Sequence, residues 1–131
     1  MPIQATLKPE RTAHNTGPPT VLVVDDDAAL RRMLTLTLRE YGYAVCSAAD
    51  GEAALREVSL GHPDAIILDL EMPVMGGREF YRRLRGSGDD TPVIVMSAYD
   101  ARPARRELGA NAAIEKPFSP DALVTAVRSI V

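Results

Sequence analysis

Four short apolar runs in this chain each stop at a reactive polar residue, and no other feature constrains its fold as much. Val21-Leu22-Val23-Val24 leads into Asp25-Asp26-Asp27, Ala65-Ile66-Ile67-Leu68 into Asp69, and Val93-Ile94-Val95-Met96 into Ser97. Ala112-Ala113-Ile114-Glu115 leads into Lys116-Pro117-Phe118. A strand buried on both faces of a parallel sheet reads as such a near-continuous apolar run rather than as an alternating one. In an open parallel α/β sheet, ligands bind outside the carboxyl ends of the strands. Acids, a hydroxyl and an amine are therefore expected to meet along one edge of one sheet.

The segments between these runs carry helical periods. Asp27 can cap a helix over 28–41, in which Leu30, Met33, Leu34, Thr37, Leu38 and Tyr41 share one face, and Gly42 ends it. A further strand is expected at 43–47, then a helix from Asp50 carrying Ala54, Leu55 and Val58 and stopped by Gly61-His62-Pro63. The third strand falls at 64–69, and the loop Glu71-Met72-Pro73-Val74-Met75-Gly76-Gly77 leads to a helix with Phe80 and Leu84 inward. Gly86-Ser87-Gly88-Asp89-Asp90 reads as a turn, 92–97 as a strand, and 101–109 as a helix with Pro103 in its first turn. A strand at 112–115 and a helix from Asp121, burying Leu123, Val127 and Ile130, complete five βα units. That alternation predicts a doubly wound five-stranded parallel sheet with five helices on its two faces and right-handed crossovers.

Composition removes several function classes. The 131 residues suit one domain, and a net charge of -3 argues against a general nucleic-acid or membrane surface. No apolar stretch is long enough to span a membrane, and no signal-peptide core opens the chain, so a cytoplasmic protein is expected. The single cysteine, Cys46, excludes an internal disulfide framework and reads as a small buried hydrophobe. Residues 1–19 hold Pro2, Pro9, Pro18 and Pro19 without a helical or strand period and read as a flexible leader before a domain over 20–131. His14 in the leader and His62 in its turn lack the neighbours a metal site needs.

The strand-end groups point to one chemistry. Three carboxylates, Asp25, Asp26 and Asp69, repel one another unless a hard divalent cation joins them. Mg²⁺, or Mn²⁺ in its place, suits oxygen ligands and keeps coordination positions for water and phosphate. A direct nucleotide site after the first strand would instead want glycines and free backbone N–H groups, and Asp25-Asp26-Asp27 repels phosphate. Asp27 also has a plainer role as a helix cap. Of fifteen basic residues only Lys8 and Lys116 are lysine, so a point charge stands at the end of the fifth strand in a chain that otherwise uses arginine. Aspartate can act as a nucleophile and form an acyl phosphate, with the cation and Lys116 neutralising the transferring group and Ser97 bonding one of its oxygens.

Val-Leu-Val-Val-Asp-Asp-Asp, Ile-Ile-Leu-Asp-Leu-Glu-Met-Pro-Val-Met-Gly-Gly, Val-Ile-Val-Met-Ser-Ala and Lys-Pro-Phe occur in that order. From about Thr20 to Val131 the chain thus resembles the receiver domain of bacterial two-component response regulators, the CheY-like, flavodoxin-like fold. The resemblance implies strand order 2-1-3-4-5. It implies Asp69 as phosphoacceptor and Asp25 and Asp26 as the acidic pocket, with Asp26 a direct Mg²⁺ ligand and the Glu71 backbone carbonyl a further one. Ser97 would bind and report the phosphoryl group, Lys116 would pair with Asp69 and then with the phosphoryl, and the Lys116-Pro117 bond would be cis. The family commonly has an aromatic switch residue three positions before the lysine. Ala113 stands there instead, and Tyr99 is the nearest aromatic that could substitute. Glu71 and Tyr99 also flank the phosphorylation site in sequence and are candidates for gating water.

The function implied is a phosphorylation-controlled signalling switch fed by a sensor histidine kinase or phosphotransfer protein. It would turn over no separate substrate. A downstream protein partner, or a second copy in a homodimer, would dock on the face of the fourth helix, fifth strand and last helix. Arg102, Arg105 and Arg106 lie on that fourth helix, while Arg78, Arg82, Arg83 and Arg85 lie on the third; a solvated charged surface is the plainer account of both. No output segment follows the last helix, so either a stand-alone receiver or the receiver part of a longer regulator is expected, without direct nucleic-acid contact or membrane insertion. Two other classes compete. Ala113 favours a phosphorylation-independent pseudo-receiver. A metal-dependent phosphatase with an aspartyl intermediate would need a cap domain or substrate pocket that the sequence does not supply.

Overall fold

Each inner strand of the sheet carries four consecutive apolar residues because it feeds two cores. The computed structural model describes residues 17–72 and 75–131. It orders the elements as β1 Thr20–Val24, α1 Ala28–Glu40, β2 Ala44–Ala48, α2 Gly51–Gly61 and β3 Ala65–Asp69. They continue as α3 Gly77–Gly86, β4 Val93–Ser97, α4 Arg102–Leu108, β5 Ala112–Glu115 and α5 Pro120–Ile130. Successive side chains of a strand point to opposite faces. Leu22, Val24, Ile66, Leu68, Val93 and Val95 accordingly pack on one side, against Ala54 and Val58 of α2 and Phe80, Tyr81 and Leu84 of α3. Val21, Val23, Ile67, Ile94, Met96 and Ile114 pack on the other, against Leu34 and Leu38 of α1 and Leu123 and Val127 of α5.

All strand pairs are parallel, in the order β2-β1-β3-β4-β5. This is the doubly wound, five-stranded order that the family resemblance implied. The order reverses at β1, which lies between β2 and β3, and such a switch point leaves a crevice at the carboxyl ends of the strands. Two devices start the sheet in register. Asp64 is buried and accepts the Thr20 backbone N–H at 2.7 Å, and the Asp25 N–H donates to the Ala48 carbonyl at 3.1 Å.

Several local expectations shift. β2 runs over Ala44–Ala48 rather than 43–47, because the Tyr43 N–H still donates to the Leu38 carbonyl of α1. Met33 and Tyr41, read as part of the buried face of α1, are 38% and 43% exposed. α1 shares its side of the sheet with α5, so a narrow stripe through Leu34 and Leu38 suffices. Tyr41 has left the helix as its C-cap and lies under the Arg128 guanidinium. Ile130 is partly buried at the end of α5, while Val124 joins Leu123 and Val127 inside. Cys46 packs against the core but is only partly buried, since β2 is an edge strand. His62 adopts the left-handed conformation, φ 44°, as the C-cap of α2. The leader reading for residues 1–16, with Lys8 and His14, lies outside the described residues, as do Pro73 and Val74.

Candidate functional site

The carboxyl ends of β1, β3, β4 and β5 lie side by side, and their first polar residues converge. Asp25 follows β1 and is 1% exposed, as is Asp69 at the end of β3. Asp26 is exposed beside them, and carboxylate oxygens of Asp25, Asp26 and Asp69 all lie within 4.8 Å of one another. Asp25 Oδ1 accepts the Asp27 N–H at 2.9 Å, and its carbonyl accepts from the Arg31 guanidinium at 2.7 Å. Asp27 points away and caps α1, accepting from the Ala29 and Leu30 N–H groups at 3.0 and 3.2 Å. The acidic triplet therefore divides by role: Asp25 and Asp26 in the cluster, Asp27 on the helix.

Lys116 enters from the far edge. Its backbone N–H donates to the Ser97 carbonyl at 2.8 Å, and its side chain then reaches across the strand ends. The ammonium bonds Asp25 Oδ2 and Asp69 Oδ1, each at 3.2 Å. The resemblance implied the Asp69 contact; the Asp25 contact makes Lys116 a bridge between two buried carboxylates. Asp69 Oδ1 also accepts the Glu71 N–H at 3.1 Å. Both bonds fall on Oδ1, and Oδ2 carries neither. The Lys116-Pro117 bond is cis.

Burial and the Asp25 charge hold the Asp69 carboxyl up at about 6, against the opposing pull of the Glu71 N–H and Lys116. Burial works against the charge on Lys116, but Asp25 and Asp69 outweigh it and raise its pKa. A cluster with more negative charge than Lys116 can neutralise is suited to a cation. Three carboxylates without nitrogen or sulfur donors match a hard ion such as Mg²⁺.

Ser97 ends β4 with its hydroxyl engaged twice. It donates to Glu71 Oε2 at 2.8 Å and accepts the Tyr99 N–H at 3.0 Å. Glu71 Oε1 accepts the Ala98 N–H at 3.1 Å. The sequence pointed to the Glu71 backbone and to a general gating role, and missed this side-chain contact. The only signal was a long acidic side chain two residues after Asp69. Tyr99 itself is 72% exposed, and Ala113 packs partly buried against the core.

Gly77 fixes how closely α3 approaches the site. A Cβ there would collide with the Asp69 carbonyl oxygen and lie 2.8 Å from the Leu70 Cα, backbone atoms that cannot rotate aside. Gly77→Ala is expected to lower stability by about 1–3 kcal/mol. It should also shift the Asp69 and Leu70 amide resonances, and urea unfolding with amide spectra checks both.

The arginines read as a charged surface are largely occupied within the protein. Arg78 and Arg82 of α3 reach Glu107 of α4 at 2.6 and 3.9 Å, and Arg83 pairs with Glu79 at 2.8 Å. Arg85 donates to the Asp89 and Thr91 carbonyls and lies over Tyr81. Arg102 holds Asp100 in a two-point contact, which drops the Asp100 carboxyl to about 2, and Arg105 donates to the Asn111 carbonyl. Arg106 is exposed.

Comparison with known proteins agrees with this geometry. Residues 21–128 match the family model described as the response regulator receiver domain. The response regulator MprA of Mycobacterium tuberculosis is 41% identical over 114 residues, covering 85% of this chain and 50% of that protein. The chain thus spans about half the length of the curated relatives it matches. The Vibrio cholerae chemotaxis protein CheY4 superposes with a TM-score of 0.82 at 32% identity, over 88% of this chain and 100% of that one. TrrA of Thermotoga maritima, solved in complex with Mg²⁺ and BeF, has a TM-score of 0.79 at 33% identity, over 86% of this chain and 99% of that one. No helix among the described residues is long and apolar enough to cross a membrane.

Proposed function

The chain belongs to the receiver domain family of response regulators, and from that premise we propose that it is a phosphorylation-controlled signalling switch with Asp69 as its phosphoacceptor. The observation that carries this reading is Lys116 bonded to both Asp25 and Asp69 beside a three-carboxylate cluster. Phosphate is taken from the phosphohistidine of a sensor histidine kinase or phosphotransfer protein. Asp69 Oδ2 attacks phosphorus, the O–P bond forms, the P–N bond breaks, and the leaving imidazole keeps the electron pair. Asp25, Asp26 and Asp69, with the Glu71 backbone carbonyl, would hold Mg²⁺, or Mn²⁺ in its place, which when bound would supply charge neutralisation for the phosphoryl oxygens. Lys116 keeps its charge, pairing with Asp69 and then with the phosphoryl group. Ser97 and the Ala98 N–H supply donors at the end of β4, where charge develops on the phosphoryl group.

Turnover is confined to the protein's own acyl phosphate, in a cytoplasmic setting. The output is a change in protein binding on the face of α4, β5 and α5, toward a downstream partner or a second copy. Arg102, Arg105 and Arg106 belong to that face. Ala113, lacking a side chain that can switch rotamers, favours a phosphorylation-independent pseudo-receiver as the second reading. Intact mass after incubation with Mg²⁺ and either a small phosphodonor or a phosphorylated histidine kinase separates the two. One phosphate is expected on the wild-type protein and none on Asp69→Asn. An adduct that survives Asp69→Asn, or no adduct from either donor, overturns the reading.

A further inference from the structure

The Ser97 hydroxyl has one proton to give, and in this structure that proton goes to Glu71. The oxygen already accepts the Tyr99 N–H at 3.0 Å, so its contact with Glu71 Oε2 at 2.8 Å is the donated bond. The neighbouring Ala98 N–H, likewise a single donor, goes to the other oxygen of the same carboxylate at 3.1 Å. The Glu71 backbone is held over the site by its own N–H on Asp69 Oδ1 at 3.1 Å, which aims the side chain across to β4. One carboxylate thus occupies both donors at the end of the strand next to Asp69.

We propose that Glu71 is an internal surrogate for the phosphoryl group, a positioning residue that holds Ser97 and Ala98 at rest and must be displaced when Asp69 is phosphorylated. This rests on the reading of Asp69 as phosphoacceptor and deepens it. A phosphoryl group on Asp69 is an anion needing the same two protons, and neither proton can serve two strong acceptors at once. The resting site is therefore closed by competition, and the affinity for any phosphoryl-like ligand is reduced by the fraction of molecules in which Glu71 is seated. Displacement also frees an exposed carboxylate beside Asp69, so arrival of phosphate changes the surface of the loop after β3 without an aromatic switch at Ala113.

The test uses beryllofluoride with Mg²⁺ as the probe, and amide spectra of the free protein. In the metal-free protein, Glu71→Ala is expected to move the Ala98 amide proton upfield, because its bond to a charged acceptor is lost. With the probe, Glu71→Ala is expected to bind about tenfold more tightly than wild type. Competition for the Ser97 proton predicts that this gain shrinks to about threefold or less when Ser97→Ala is also present. An Ala98 amide that does not move, equal affinities in wild type and Glu71→Ala, or a gain unaffected by Ser97→Ala, each overturns the surrogate role. The last would leave simple charge repulsion as the cause. Those three results leave the phosphoacceptor reading standing. Absence of probe binding to wild type and Glu71→Ala alike overturns that reading, and the surrogate role with it.

Discussion

In metal-free buffer at pH 7.5, Asp69→Asn is expected to melt above the wild-type protein, by about 6–10 °C. The reason is the cost of the buried charge. Asp69 titrates at about 6 in the folded protein, against an ordinary value of 3.8. Between those values the folded state binds a proton that the unfolded chain has released, so stability falls as pH rises. Above about pH 6 the whole penalty is present, about 3 kcal/mol from the shift itself and roughly 2 kcal/mol once solvent screening is allowed for. Asparagine keeps the shape and removes the charge. The difference between the two melting curves should therefore be near its minimum at pH 4 and grow to a plateau above pH 6. Thermal unfolding from pH 4 to 8 in the presence of a chelator measures it. A variant less stable than wild type at pH 7.5, or a difference that does not vary with pH, contradicts the account. The same substitution removes the proposed phosphoacceptor, so that reading places function and stability cost in one carboxylate.

Lys116→Met is expected to act in the opposite sense. Its ammonium bridges Asp25 and Asp69, each almost fully buried, while its own side chain is 23% exposed. Methionine retains most of the length of the stem but leaves the carboxylates without their shared counter-charge. Breaking a fully buried pair costs about 3–5 kcal/mol, and partial exposure reduces this to about 2–3 kcal/mol. The raised Lys116 pKa means that its own charge is kept throughout pH 4–8 and is lost only as pH rises above the ordinary lysine range. The loss should shrink below pH 6, where Asp69 takes up a proton, and should shrink again when Asp69→Asn is combined with Lys116→Met. Urea unfolding of the four proteins in a double-mutant cycle reads the coupling. Additive effects at pH 7.5 would show that Lys116 and Asp69 do not act on one another.

These two residues also mark how far the sequence could be read. That Asp69 and Lys116 stand at strand ends was legible, because an apolar run and the residue that stops it are local facts. That Lys116 also bonds Asp25 was not, because the two are separated by 91 positions in the chain. The contact depends on how far a side chain from an edge strand reaches over its neighbours. Helix positions followed the periodic pattern, but the width of the buried face of α1 did not. Periodicity locates the middle of a stripe, and the space left by α5 decides whether Met33 and Tyr41 are covered. The edge position of β2 likewise left Cys46 only partly buried.

Five βα units, a sheet buried on both faces, and the identity of the groups at its carboxyl edge are all written in the order of the residues. Those follow from period, run length and chemical type, which are properties of neighbours in the chain. The raised pKa of Asp69, the bridging of Asp25 and Asp69 by Lys116, and the seating of Glu71 on Ser97 and Ala98 arise in the folded chain. Each of these depends on through-space distance and exclusion of water between residues remote in sequence. A carboxylate two positions after Asp69 is simply an acid in the sequence. Once β3 and β4 are paired in register, it becomes an anion resting on the donors that a phosphoryl group would need.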